Sequence, residues 1–154
     1  MQFTFDILSN IRHISKDLLE KHSLEDLNKI PEGFNNNIIW NFGHLVVTTQ
    51  LLAYKLSGLP MHVSDAMVDK YKKDTKPEGP VSQAEVDEIK GLLISTYQQL
   101  EADYKSGLFQ NYNEYTVSTT GNTLTNIDGA LQFNTLHEGM HIGYVLALSR
   151  AIKN

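Results

Sequence analysis

The stretch from about Asn36 to Ser57 restricts the possible folds more than any other part of the chain. Asn35, Asn36 and Asn37 each offer a side-chain oxygen that can cap the start of a helix. Gly58 suits the left-handed position that follows a helix, and Pro60 prevents continuation. Projected as a helix, Asn37, Trp40, Asn41, His44, Val47, Thr48 and Leu51 share one face. Phe42, Leu45, Val46, Thr49, Ala53 and Leu56 form a second, apolar face. A helix apolar on two sides is buried on two sides. It belongs in the centre of a bundle or at a contact between two copies.

Three further long helices are predicted around it. The first, from about Thr4 to Lys21, carries Phe5, Leu8, Ile11, Arg12, Ser15, Leu18 and Leu19 at a 3–4 spacing. The third opens on a capping box, Ser82-Gln-Ala-Glu85, with Val81 and Val86 as its hydrophobic staple, and runs to about Lys105 before Gly107. The last opens at Thr125-Asn-Ile-Asp128 and runs to about Ile152. On it, Ala130, Phe133, Asn134, His137, His141, Tyr144, Val145 and Leu148 share a face. Leu131, Ile142 and Leu146, with Gly139 and Gly143, make a second surface that is small and apolar. Glycine costs about 1 kcal/mol inside a helix, so this pair predicts close approach by another helix and a homodimer. Of the connections, 59–81 is long enough to cover a cleft mouth, with a helical turn or two at 64–71. Segment 108–124 reads as a loose extended excursion, clearest near 112–124. The expected fold is all-α, a four-helix bundle with long loops, in a single domain over residues 1–154.

Composition narrows the function. A net charge of −5 and scattered lysines and arginines argue against nucleic-acid partners and anionic membrane surfaces. The chain has no apolar run near the ~18 residues of a membrane span and no basic leader at its start, so a cytoplasmic protein is expected. With Cys 0, thiolate ligands and a protein thiol nucleophile are excluded.

The chemistry concentrates on histidines. His137 and His141 sit four apart, the spacing of the metalloprotease H-E-x-x-H helix, which brings two imidazoles to one cation, although no general-base glutamate is expected in its slot here. His44 lies mid-stripe on the second helix, and inward faces of different helices meet in a bundle. It can complete a three-histidine set with His137 and His141. Such a set suits zinc, nickel, copper or iron and leaves positions open. Neutral rings are needed for binding, so affinity is expected to weaken as pH falls through about 6. His13, His22 and His62 read as edge or loop residues.

Trp40-Asn-Phe-Gly-His44 together with His137-x-x-x-His141-x-Gly143 resembles the DinB-like superfamily of DNA-damage-inducible proteins. The resemblance follows the element order of nearly the whole chain. It implies an up-down-down-up bundle, often dimeric, with a divalent metal held by His44, His137 and His141. One departure is Tyr144, where many relatives carry glutamine. Some relatives are S-transferases or isomerases that use bacillithiol, mycothiol or glutathione.

The expected function is a metal-dependent transferase that uses a low-molecular-weight thiol, with zinc or nickel as the ion. Because the protein lacks cysteine, any nucleophilic sulfur comes from a cosubstrate. Tyr144, Asn41, Asn134 and Thr48 are the expected pocket lining for that cosubstrate. Arg12 either faces an anionic group or, the preferred reading, forms an ion pair at the bundle's end. No acidic residue is assigned as a general base. The alternatives are metal-assisted hydrolysis at the same site, and a non-catalytic, stress-associated metal-binding dimer.

Overall fold

The computed structural model describes residues 1–153, almost all of it helix and connecting loop. Helix α1 (Gln2–Glu20) buries Phe5, Leu8, Arg12, Ser15 and Leu19, the stripe its periodicity predicts. A short α2 (Leu24–Asn28) is fixed by a reciprocal capping box between Ser23 and Asp26. Helix α3 (Ile38–Gln50) starts where Asn37 Oδ1 accepts the Trp40 N–H at 2.9 Å. Every residue of α3 except Thr48 is buried. Its path then widens into a π-helical turn, Leu51–Lys55, and ends at Gly58 with φ of 71°.

The rest follows the predicted order, with two local corrections. Helix α4 (Asp65–Tyr71) occupies the long connection, and α5 (Gln83–Lys105) follows it. Ser82 does cap α5 by accepting the Glu85 N–H. The return half of the predicted box does not form, because Lys70 and the Tyr71 hydroxyl each hold the Glu85 carboxylate at 2.6 Å. A two-residue pair of strands, β1 (Tyr115–Thr116) and β2 (Thr123–Leu124), makes the extended excursion. Helix α6 (Ile127–Ala151) is capped by Asn126, one residue beyond Thr125. The amide oxygen of Asn126 accepts the Gly129 N–H at 2.8 Å, and asparagine caps somewhat better than threonine.

Specific contacts fix the helix directions. The Tyr97 hydroxyl reaches the Phe5 carbonyl, and Lys90 lies beside Glu20, so α1 and α5 are antiparallel. Asn41 meets His141 and Thr49 meets Asn134, so α3 and α6 are antiparallel as well. Helices α1 and α6 run parallel: Phe5 and Leu8 cluster with Leu131, while Leu19 clusters with Val145 and Leu148. The bundle is therefore up-down-down-up. Long connections are required wherever consecutive helices point the same way, which is why 59–81 is extended.

The predicted close approach of another helix at Gly139 and Gly143 does not occur among the described residues. A Cβ at either glycine would meet nothing within 4 Å. Leu131 from that supposed surface is buried in the core, and Leu146 is exposed. The glycine that permits close packing is Gly43, where a Cβ would lie 2.5 Å from the Tyr71 ring. This contact seats α4 against α3 one residue before His44.

Candidate metal centre

Antiparallel packing of α3 on α6 places His44 opposite His137 and His141. The ring centroids are 5.2 Å apart for His44–His137, 4.9 Å for His44–His141 and 4.5 Å for His137–His141. One nitrogen from each ring falls in a set whose members all lie within 4.8 Å of one another. A single cation can therefore be reached by all three.

Two of the rings are oriented from behind. His44 Nδ1 lies 2.7 Å from the Tyr71 carbonyl, and His141 Nδ1 lies 2.8 Å from Asn41 Oδ1. Asn41 is itself fixed, because its amide nitrogen donates to Asn36 and to the Asn37 carbonyl. Both partners only accept, so each Nδ1 carries the proton and each Nε2 presents its lone pair. This outer support is characteristic of metal-ligating histidine. Trp40 stacks on the His44 ring at 4.8 Å, and the Thr48 hydroxyl lies 3.2 Å from His44 Nε2.

Burial keeps the rings neutral. It lowers His44, and it pushes His137 down to about 3, with the neighbouring His141, His44 and Arg12 charges adding to the effect. His141 falls to about 4, through burial first and His44 second. Neutral imidazole is the form that binds metal. The Nδ1 of His137 is buried with no hydrogen-bond partner among the described residues, a condition that costs about 1–3 kcal/mol if left uncompensated. Three neutral rings, two with their lone pairs aimed inward and one incompletely satisfied, fit a divalent ion of the kind imidazole favours.

A family model of the DinB superfamily matches residues 7–145. This chain belongs to the DinB superfamily. No curated protein matches it in sequence. Within this DinB chain the three-histidine group can hold a metal ion, and the all-α fold is the one the family implies.

The four residues expected to line a pocket are divided by the structure. Thr48 lines a cleft of about 440 Å³ that has the three histidines in its wall. Asn41 stands behind His141, and with Tyr144 it borders a second, more open hollow that shares His141 and Met140 with the cleft. Tyr144 packs edge-on against Phe34. Asn134 is buried away from the cleft and donates to Glu138 Oε1 at 2.8 Å.

Glu138 is the residue that sequence reasoning left without a role. The string His137-Glu138-Gly139-Met140-His141 matches H-E-x-x-H throughout, yet Glu138 does not face the rings. It is fully buried and takes the Arg12 guanidinium at 2.6 Å, and Arg12 also donates to the Thr49 hydroxyl at 2.7 Å. The Arg12 ion pair predicted for the bundle's end is therefore in its middle. Glu138 ties α1, α3 and α6 together and is not placed as a base toward a metal-bound water.

The cleft itself is predominantly apolar, with Leu52, Leu56, Val117, Phe133 and Met140 among its walls. Lys55, Lys73 and Tyr115 also line it. No periodicity in the sequence signals them, because Lys55 enters through the π turn, Lys73 through the loop after α4 and Tyr115 through the two-residue β1. No helix among the described residues is long and apolar enough to cross a membrane.

Proposed function

We propose that the protein is a divalent-metal-dependent transferase, joining a low-molecular-weight thiol to an electrophile at a centre formed by His44, His137 and His141. Zinc or nickel is the proposed ion, both among the metals that imidazole suits. The observation that carries the reading is the neutral, back-supported triad in the wall of an apolar cleft. A divalent ion held there lowers the pKa of a thiol, so that thiolate is available at neutral pH.

The chain's own contribution is orientation and exclusion of water. Tyr71 and Asn41 hold two of the rings, and the apolar walls strengthen electrostatic interactions inside by keeping solvent out. The sulfur's electron pair forms the new carbon–sulfur bond. The thiol proton passes to solvent, and the leaving group departs with the pair of the bond that breaks. Hydrolysis of the H-E-x-x-H type is disfavoured, since Glu138 is committed to Arg12.

The reaction belongs in the cytoplasm, where small thiols are kept reduced. A homodimer is supported by Leu136, Met140, Tyr144 and Leu146, which expose large apolar side chains along α6. Sedimentation at micromolar concentration is expected to give twice the monomer mass.

Metal-loaded protein is expected to accelerate conjugation of a thiol panel with an electrophile such as a haloalkane. His137→Ala is expected to abolish the acceleration while leaving the helical signal intact. Equal rates from the two proteins rule out transfer at this centre. If chelation lowers the melting temperature and no thiol reacts, the ion is structural.

A further inference from the structure

The cleft beside the triad has two chemically different ends. At one end are the three histidines, with His44 held from behind by the Tyr71 carbonyl. At the other end stands Lys55, on the π turn that continues α3. Lys55 follows His44 by eleven helical positions, an axial rise of about 16 Å. Between them the wall is Leu51, Leu52 and Leu56, faced by Val117 and Phe133.

The two lysines of the cleft are in different situations. Lys73 donates to the Ser118 hydroxyl at 2.8 Å and so links the loop after α4 to the β1–β2 turn. Lys55 takes part in none of the lysine ion pairs among the described residues. Asp69, whose carboxyl feels Lys55 at a distance, is engaged by Lys72 at 2.7 Å. The turn that carries Lys55 is also the one departure from α geometry in α3. Such π turns are concentrated at functional sites because they redirect side chains.

We propose that the cleft binds a monoanionic small molecule with an apolar body, its carboxylate at Lys55 and its other end at the triad. The assignment rests on the triad being the reacting end, as in the proposed function, and specifies the class of molecule brought to it. A volume of about 440 Å³ suits one small ligand. A wholly polar molecule would leave the leucine wall without a partner, whereas a carboxylate adds an ion pair to the Lys55 ammonium, which is exposed at the cleft.

The test uses octanoate, 1-octanol and acetate on chelator-treated protein, followed by calorimetry. Octanoate is expected to bind about three- to fivefold tighter than octanol, the range of an exposed ion pair, acetate not to bind, and Lys55→Gln to bring octanoate to the level of octanol. Octanoate and octanol binding equally to wild type overturns the proposal, as does a preference that Lys55→Gln leaves intact. A second arm compares 8-mercaptooctanoate with octanoate on zinc-loaded protein. A further tenfold gain that His137→Ala removes, with octanoate binding retained, supports the triad as the reacting end. If octanoate obeys the first arm and the thiol adds nothing, the ligand class stands and the thiol-transfer reading falls.

Discussion

His137 and Glu138 are neighbours in sequence, both buried, and they lead into two polar clusters of opposite character. On the Glu138 side, a carboxylate, a guanidinium, a hydroxyl and an amide answer one another, with Arg12 Nη1 the one atom lacking a partner among the described residues. On the His137 side, three neutral rings each bring one nitrogen to a common point, with a cleft alongside. A buried cluster whose charges and hydroxyl answer one another holds the fold. One that leaves convergent acceptors incomplete is arranged for a group from outside. The step of one residue turns the side chain by about 100° on a helix, enough to separate the two roles.

The largest effect separating the clusters is expected from His137→Ala. It should abolish metal binding at micromolar metal while leaving the protein folded, as read by metal content after dialysis and by circular dichroism. Stoichiometric metal in that variant, and equally in His44→Ala and His141→Ala, would remove the triad as the centre. The reciprocal change is Arg12→Met, which strands Glu138 as a buried charge and is expected to cost about 3–5 kcal/mol of stability in urea denaturation. Arg12→Met with Glu138→Leu should cost less than Arg12→Met alone. If Arg12→Met instead leaves stability unchanged and weakens the metal, the two clusters are not separate.

Asn41→Ala tests the support behind the triad. Loss of an outer partner of this kind is expected to weaken the metal by roughly 10–100-fold, measured by competition with a chelating dye, and an unchanged affinity would mean that the ring needs no orienting. The smallest and most graded effect is that of pH. His137 is held to about 3 and His141 to about 4 in the folded protein, whereas unfolded histidine takes its proton near 6.5. Between those values the unfolded chain binds more protons, so metal-free stability falls as pH drops from about 6.5 toward about 4. The folded rings stay neutral over that window, so metal affinity should hold to about pH 5 and fall below about 4, later than unshifted imidazoles predict. A midpoint near 6 would show rings in contact with water.

Much of the bundle was legible because its signals are local. The double apolar face of α3 predicted burial, and all of its residues but Thr48 are buried. Asn37, Gly58 and Gly107 mark boundaries through backbone chemistry that does not depend on the rest of the fold. Arg12 was placed on a buried stripe but given the wrong end of the bundle, because its partner lies 126 residues away. Tyr144 and Asn134 share a helical face with the histidines, yet a face spans more than one cavity. Tyr144 borders the second hollow, and Asn134 enters the ion-pair cluster.

What the chain determined by itself is therefore the set of helices and the two histidines that four-residue spacing places together, since both follow from interactions within a turn or two. Only the tertiary structure decided that His44 completes the group, that the Tyr71 carbonyl steadies it, and that Glu138 turns inward to Arg12. Those outcomes depend on how α3, α4 and α6 pack. Packing is settled by the sum of many burials across the whole chain, which no single stretch encodes.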